Sequence, residues 1–357
     1  MIKPILSHYS FTDEIEKTAV HLSYKDILLV PFDDDFCTVE SRSIPDISTF
    51  VCGNYKISIP LLSAPMDSIT TSEMVQALDQ IKALGVYTRW IGEDQECHKK
   101  QVTELKKLKK LISGPLACAI GVKGDIYEKA SELCDVGVNI ICLDIANGNH
   151  IFMRDSLNKI NKLKQKYNIS VIAGNVATGK SAIRLAEHGA DAVKVGIGPG
   201  AVCSTRKVTG FGVPQLTALM DCARARYKTG YDFKIIADGG CRNPDDVVKA
   251  LWAGADSVMA GFIFAGHVEC PTIDGKNQYR GMSSREVNSR KDVAPEGICL
   301  SVKAKGSVKD TIQDYASAIR AACSMANAYN LDDLRKNVKA IRVSTVTHDE
   351  SDPINSI

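Results

Sequence analysis

The residues with the clearest chemical potential lie in GIGPGAVCSTRKVTGFG, at 196–212. Three glycines and a proline lead to Cys203, followed by Ser204 and Thr205 and then by Arg206 and Lys207. A thiol can add to an electrophilic carbon and form a covalent intermediate. A glycine-rich approach lets such a residue move into and out of line with its target. Thr205, two residues on, can relay a proton. A lone cysteine among 12 is ordinarily a packing residue. The Gly-x-Gly-Pro-Gly-x-x-Cys setting is what argues for chemistry here.

Two further stretches, ADGGCRNP (237–244) and AGFIFAGH (260–267), could hold an anion. Gly239, Gly240 and Gly261 would let a phosphate approach the backbone, and Asn-Pro-Asp-Asp at 243–246 reads as a helix start whose N–H groups face it. Asp238 would repel a phosphate and suits ribose hydroxyls instead. Each glycine alone is compatible with a simple turn. Together they favour a nucleoside monophosphate.

Positioning these groups requires a scaffold, and the chain supplies a regular one. Eight short apolar runs, at 59–66, 85–90, 115–122, 138–146, 169–176, 191–198, 233–240 and 256–263, alternate with helix-like segments such as 181–190 and 243–255. Runs that are apolar throughout suit strands buried on both faces of a parallel sheet. Eight β/α units predict a closed (β/α)8 TIM barrel, with an open doubly wound sheet as the alternative. Met66, Asp67, Asp144 to Gly148, Asn175, Gly196 to Thr205, Asp238 to Gly240 and Gly261 all fall at the C-terminal ends of these runs. In a barrel that is one face, the face that carries active sites. The expected organisation is a single catalytic domain over 1–357, with a cover before residue 55, a barrel core over about 55–330, a flap over about 267–306 and a last helix near 308–329.

Composition narrows the class. The chain has 357 residues, 45% hydrophobic and 24% charged, with a formal charge of +2, which suggests no nucleic-acid or membrane partner. The basic run KKLKK at 106–110 reads as a solvated helix face. No Cys-x-x-Cys occurs, so a zinc site is not expected, and the scattered cysteines suit a reducing cytoplasm. The N-terminal MIKPILSHYSFTDEIEK carries acids and no long apolar run, unlike a secretory signal.

GIGPGAVCSTRKVTGFGVPQ, IIADGGCRNPDDVVKALWAGADSVMAGFIFAGH and the later YRGMSS together resemble the IMP dehydrogenase/GMP reductase family, from about residue 22 to 344. The resemblance implies a cytoplasmic (β/α)8 barrel, usually a homotetramer, whose cysteine bonds to C2 of a purine nucleotide. One branch oxidises IMP to XMP with NAD. The other reduces GMP to IMP and ammonia with NADPH. Three features resemble the reducing branch: LDIANGNH at 143–150, GMSS at 281–284, and only REVNSRKDVA between GMSS and Pro295-Glu296-Gly297, with no Arg-Tyr pair to activate water. No regulatory insert follows the second strand.

By motif, the resemblance makes Cys203 the nucleophile and Thr205 and Glu296 the pair that handles the ammonia proton. Met66, Asp238, Gly239, Gly240, Gly261, Met282 and Ser283 become nucleotide contacts, and Asp144, Asn147 and Thr178 cofactor contacts. The carbonyls of Gly198, Gly200 and Cys203 become a potassium site. Departures are also visible. Tyr-Thr-Arg-Trp at 87–90 replaces a His-Lys-His-Tyr run, so Arg89 stands near the place of a lysine without copying its geometry. Ala201 stands where serine is common. Val293 stands where an arginine is expected, leaving Arg290 or Lys291 as substitutes. IIADGG and FGVPQ look more like the dehydrogenase, which keeps that branch open, together with a nucleotide-binding protein without turnover.

Overall fold

The computed structural model describes residues 20–91, 96–287, 292, 294–344 and 347. Arg290, Lys291 and Val293 therefore lie outside the described residues, as does the 1–19 segment. Each of the eight apolar runs yields a strand: β1 Leu61–Ser63, β2 Leu84–Tyr87, β3 Ala117–Ile120, β4 Ile140–Asp144, β5 Ser170–Val176, β6 Ala192–Val195, β7 Lys234–Asp238 and β8 Ser257–Ala260. They pair in parallel, each with its sequence neighbours, and β8 closes on β1 to complete the barrel. The closed barrel thus replaces the open-sheet alternative.

Strand alternation sorts the core into two layers. Leu62, Val86, Ala119, Cys142, Ile172, Ile236 and Met259 point inward and form one buried cluster. The alternate residues, such as Ile120, Leu143, Val171 and Val258, pack outward against the helices. Burying each such aliphatic side chain contributes roughly 1.5–3 kcal/mol. The bottom of the barrel is plugged by a hairpin, Thr49–Cys52 with Tyr55–Ile57, whose Val51, Cys52 and Ile57 join the inner cluster. A second N-terminal strand, Ile27–Leu29, pairs with Ala340–Arg342.

The helices follow the strands: α1 Ser72–Gln80, α2 Cys97–Leu108, α3 Ile126–Asp135, α4 Ile151–Leu163, α5 Gly179–Glu187, α6 Gln215–Thr229, α7 Pro244–Trp252 and α8 Val308–Met325. Lys106 and Lys107 lie on the solvent face of α2, as their run suggests. At α7, Asn243 caps the first turn while Asp246 reaches back in a capping box, accepting from Arg242 N at 2.8 Å and Asn243 N at 3.1 Å. Such a cap contributes about 1 kcal/mol and fixes the ADGGCRNP loop onto the helix. The flap region contains a small antiparallel sheet of Thr272–Ile273, Lys276–Arg280 and Cys299–Ser301. Among the described residues no helix is long and apolar enough to cross a membrane.

Candidate active site

The C-terminal mouth of the barrel holds a cavity of about 260 Å3. It gathers Cys203, Thr205, Glu296, Met66, Asp238, Gly239, Gly261, Met282, Ser283, Asp144, Gly198 and Gly200, residues scattered from 66 to 296 in the chain. Gly240 lines a smaller neighbouring hollow with Gly200, Ala201, Cys241 and Arg242. Asn147 and Thr178 do not line the central cavity. Asn147 Oδ1 accepts the Asn149 N–H at 3.1 Å, and Thr178 caps α5 by accepting from Ser181 N at 3.3 Å.

The cysteine loop is held by backbone pairing. Cys203 N donates to Gly200 O at 3.0 Å, closing a tight turn. Cys203 then bridges Gly297 in antiparallel fashion, with Ser204 N on Glu296 O at 2.9 Å and Ile298 N on Val202 O at 3.0 Å. Glu296 N donates in turn to Ser283 O at 3.1 Å. The flap is thereby laced to the cysteine loop, and Gly281 and Gly297 meet where the two backbones cross. A Cβ on Gly281 would lie 3.0 Å from Gly297 Cα. The lacing aligns three side chains. Cys203 Sγ donates to Thr205 Oγ1 at 3.2 Å, and Thr205 Oγ1 donates to Glu296 Oε2 at 2.7 Å. A proton can travel along this row in either direction.

The anion seat is backbone-lined. Gly239 and Gly240 adopt φ of +85° and +89°, a conformation that favours glycine. A Cβ on Gly239 would sit 3.1 Å from Gly200 N, so the two glycine loops touch because neither carries a side chain. A Cβ on Gly261 would meet Tyr279 Oη at 2.7 Å and Met66 Sδ at 2.8 Å.

Between seat and thiol lies a buried charge set whose central residue, Lys194, sequence reasoning missed. Lys194 is 1% exposed, and the alternation of β6 sends it into the barrel. Its ammonium hydrogen-bonds Asp144 Oδ1 and lies 3.2 Å from Asp238 Oδ2. Asn175 Nδ2 also donates to Asp238 Oδ2 at 2.9 Å and to Gly196 O at 2.8 Å. Lys194 reaches Asp144 by crossing β5 at Gly174, which is in register with both residues. A Cβ there would lie 2.6 Å from Lys194 Cβ. Burial opposes the charged form of Lys194, but the two carboxylates prevail and hold the ammonium above its ordinary range. Burial would likewise raise Asp144, but the charge and hydrogen bond of Lys194 hold its carboxyl below the ordinary range. The only sequence signal was a lysine inside the otherwise apolar run DAVKVGIG.

The opposite wall is formed by Arg89 and Trp90, with the guanidinium carbon 4.3 Å from the indole ring centre. Burial lowers the Arg89 pKa while Asp144 partly offsets it. Among the described residues Arg89 Nε and Trp90 Nε1 are buried donors without partners, so this wall offers hydrogen bonds to a ligand. Arg280, another residue not singled out from sequence, grips Asp67 through NH2 to Oδ2 at 2.6 Å and Nε to Oδ2 at 3.1 Å, tying the flap sheet to the loop after β1. Among the described residues no group of three or more His, Cys, Asp or Glu side chains could hold a metal ion.

Fold and mouth together define a (β/α)8 barrel with a thiol-centred site. Comparison with known proteins carries the assignment further. The IMP dehydrogenase / GMP reductase domain profile matches residues 21–354. The chain is 33% identical over 347 residues to a GMP reductase of Onchocerca volvulus, covering 92% of this chain and 93% of the relative. It is 35% identical over 353 residues to GMP reductase 2 of Homo sapiens, covering 91% and 95%. It is also 34% identical over 344 residues to an inosine-5'-monophosphate dehydrogenase of Chlorobaculum parvum, covering 86% and 68%. The chain belongs to the IMP dehydrogenase/GMP reductase family.

Proposed function

We propose that this chain is a GMP reductase, converting GMP to IMP and ammonia with NADPH through a covalent thioimidate on Cys203. The observation that carries the reading is the row Cys203–Thr205–Glu296 beside a glycine-lined anion seat. The ribose hydroxyls of GMP lie against Asp238, and its phosphate against Gly239, Gly240, Gly261 and the 200–201 backbone. Met282 and Ser283 face the base from the flap. Cys203 gives its proton through Thr205 to Glu296, and its sulfur bonds to C2 of the purine. Glu296 returns a proton through Thr205 to the 2-amino group, which is a poor leaving group until protonated and departs as ammonia. When bound, NADPH supplies a hydride to C2. The C2–S bond then breaks, IMP is released and the thiolate is regenerated.

The orphan donors of Arg89 and Trp90, with Asp144, fit a polar nicotinamide amide and ribose. Asn147 and Thr178 would meet the cofactor further along the rim. The carbonyls of Gly198, Gly200 and Cys203 are the proposed potassium ligands. Gly200 O already accepts the Cys203 N–H, so a cation would use its second lone pair. The family reading extends to one catalytic unit per chain and to a cytoplasmic homotetramer, a state that light scattering would test.

The discriminating experiment follows nicotinamide absorbance with potassium present. GMP plus NADPH should consume NADPH and release one ammonia per turnover, and Cys203→Ala should abolish both. The similarity to a bacterial IMP dehydrogenase supports a second reading. Reduction of NAD with IMP, and silence with GMP, would establish that reading instead.

A further inference from the structure

Beside the catalytic mouth a second hollow of about 290 Å3 lies between α4 and α5. Among the described residues its wall carries Arg154, Arg184, His150 and His188, and no Asp or Glu. Arg184 is committed only weakly, through one 3.3 Å hydrogen bond to the neutral Asn149 Oδ1. Arg154 pairs with the adjacent Asp155 at 2.9 Å, with both side chains about half exposed, an interaction of small net worth that an incoming dianion can displace. His150 Nδ1 accepts the Phe152 N–H at 3.1 Å, which leaves its other ring nitrogen as the donor in the neutral form.

One loop lines both this basic hollow and the catalytic cavity. Asp144, Ile145 and Ala146 line the central cavity, and Gly148, Asn149, His150 and Ile151 line the hollow. Gly148 N also donates to Asn175 O at 2.6 Å, and Asn175 faces the central cavity. From Ala146 to Asn149 the chain can span at most about 10 Å. A molecule with one end at Asp144 and a phosphate some way off would therefore follow this loop into the hollow.

We infer that Arg154 and Arg184 form the seat for the extra phosphate of a phosphorylated dinucleotide, the 2′-phosphate of NADPH, and so set the preference for NADPH over NADH. The guanidinium fork matches a phosphate monoester, and an arginine is a recurrent means of admitting that group. The inference rests on the reductase reading for its ligand and names residues outside the catalytic row.

The test separates the two. Steady-state kinetics with GMP would compare NADPH and NADH in wild type, Arg184→Gln and the double variant Arg154→Gln/Arg184→Gln. Both residues are exposed, so the fold should be retained. The expected result is a KM for NADPH raised about tenfold in the single variant and more in the double, an NADH KM within about twofold, and unchanged kcat. Calorimetric titration with adenosine 2′,5′-bisphosphate and with 5′-AMP gives a readout without turnover. The bisphosphate should bind wild type more tightly, compete with NADPH, and lose its advantage in the double variant. If that holds while no GMP-dependent oxidation occurs, the seat stands and the reductase reading falls. If GMP and NADPH turn over but the double variant leaves the NADPH/NADH ratio unchanged, the seat falls. Bisphosphate binding that does not compete with NADPH also overturns it, because the hollow would then serve a separate nucleotide.

Discussion

The Cys203–Thr205–Glu296 row and the Lys194–Asp144–Asp238 set occupy one cavity and are built in opposite ways. The row hangs on loops. Its alignment depends on a few backbone hydrogen bonds between the 202–204 loop and the 296–298 segment. The charge set stands on strand ends, and the register of β4, β5, β6 and β7 fixes it. The loop arrangement rests on these few hydrogen bonds and not on barrel register, so it can adjust to a ligand without changing the strand pairing. The strand arrangement has no such freedom. The mouth thus pairs a candidate reacting group held by loop contacts with a charged floor held by strand register. Changes to the first should act on rate with little effect on stability, and changes to the second should lower stability whatever they also do to binding.

The largest effect should come from the row. Glu296→Gln and Thr205→Val both interrupt proton transfer while leaving Cys203 in place. A lost general acid typically reduces rate about 10^2 to 10^4-fold. We expect kcat for GMP to fall by that order, with a urea midpoint close to wild type. A large loss of stability with retained rate would break the distinction between the two regions.

Next in size is Lys194→Met. Removing the lysine leaves Asp144 and Asp238 facing each other with no cation between them. Breaking a buried ion pair from one side costs about 3–5 kcal/mol, which urea unfolding would report. The pH dependence sharpens the test. In wild type, the folded pKa of Asp144 lies below its unfolded value of about 3.9, so its contribution is present above that pH and is lost as pH falls through the folded value. The folded pKa of Lys194 lies above its unfolded value of about 10.4, so its contribution is complete below that pH and is lost as pH rises through the folded value. Between those limits this pair should leave stability flat. In Lys194→Met burial acts on Asp144 without the opposing ammonium, so its pKa rises. The variant should then become more stable as pH falls from neutral toward 4, where the wild-type pair leaves stability flat. A parallel pH profile for the two proteins would show that Lys194 does not hold Asp144 ionised.

The same contrast explains what the sequence made legible. The eight strands could be read because buried parallel strands are apolar on both faces, and β5 at Ser170–Val176 fell almost wholly on its run. Cys203 could be read because its loop is local, with three glycines and a proline in the seven residues before it. Glu296 emerged only through the resemblance, since nothing in its own neighbourhood marks it. Lys194 was hidden for a physical reason. Its meaning depends on β7 lying beside β6, on β4 lying one strand beyond β5, and on Gly174 leaving room to cross β5, and none of these facts is a matter of spacing along the chain. Asn147 and Thr178 show the converse limit. Both belong to strand-end loops, yet the structure gives them a turn and a helix cap and leaves them outside the central cavity. Motif position places a residue at the right end of a strand but does not fix where its side chain points.

The smallest effect should arise where the two designs meet. Arg280 belongs to the flap sheet, and Asp67 follows β1, so their ion pair joins the loop-held part to the strand-held one. The guanidinium makes three contacts to the carboxylate, of which NH2 to Oδ2 at 2.6 Å is the shortest. Arg280→Lys keeps the charge and loses the fork. The side chains are 19% and 13% exposed, but lysine leaves a cation beside Asp67, so the loss of the fork should change global stability by about 1 kcal/mol. Because the strand bearing Arg280 leads directly into Gly281, Met282 and Ser283, the looser tie should act on flap closure. We expect the KM for GMP to rise severalfold with kcat nearly intact, measured beside a nearly unchanged thermal midpoint. A fall in kcat as large as that of Glu296→Gln would mean that the ion pair, and not the backbone lacing at Gly297, sets the alignment of the catalytic row.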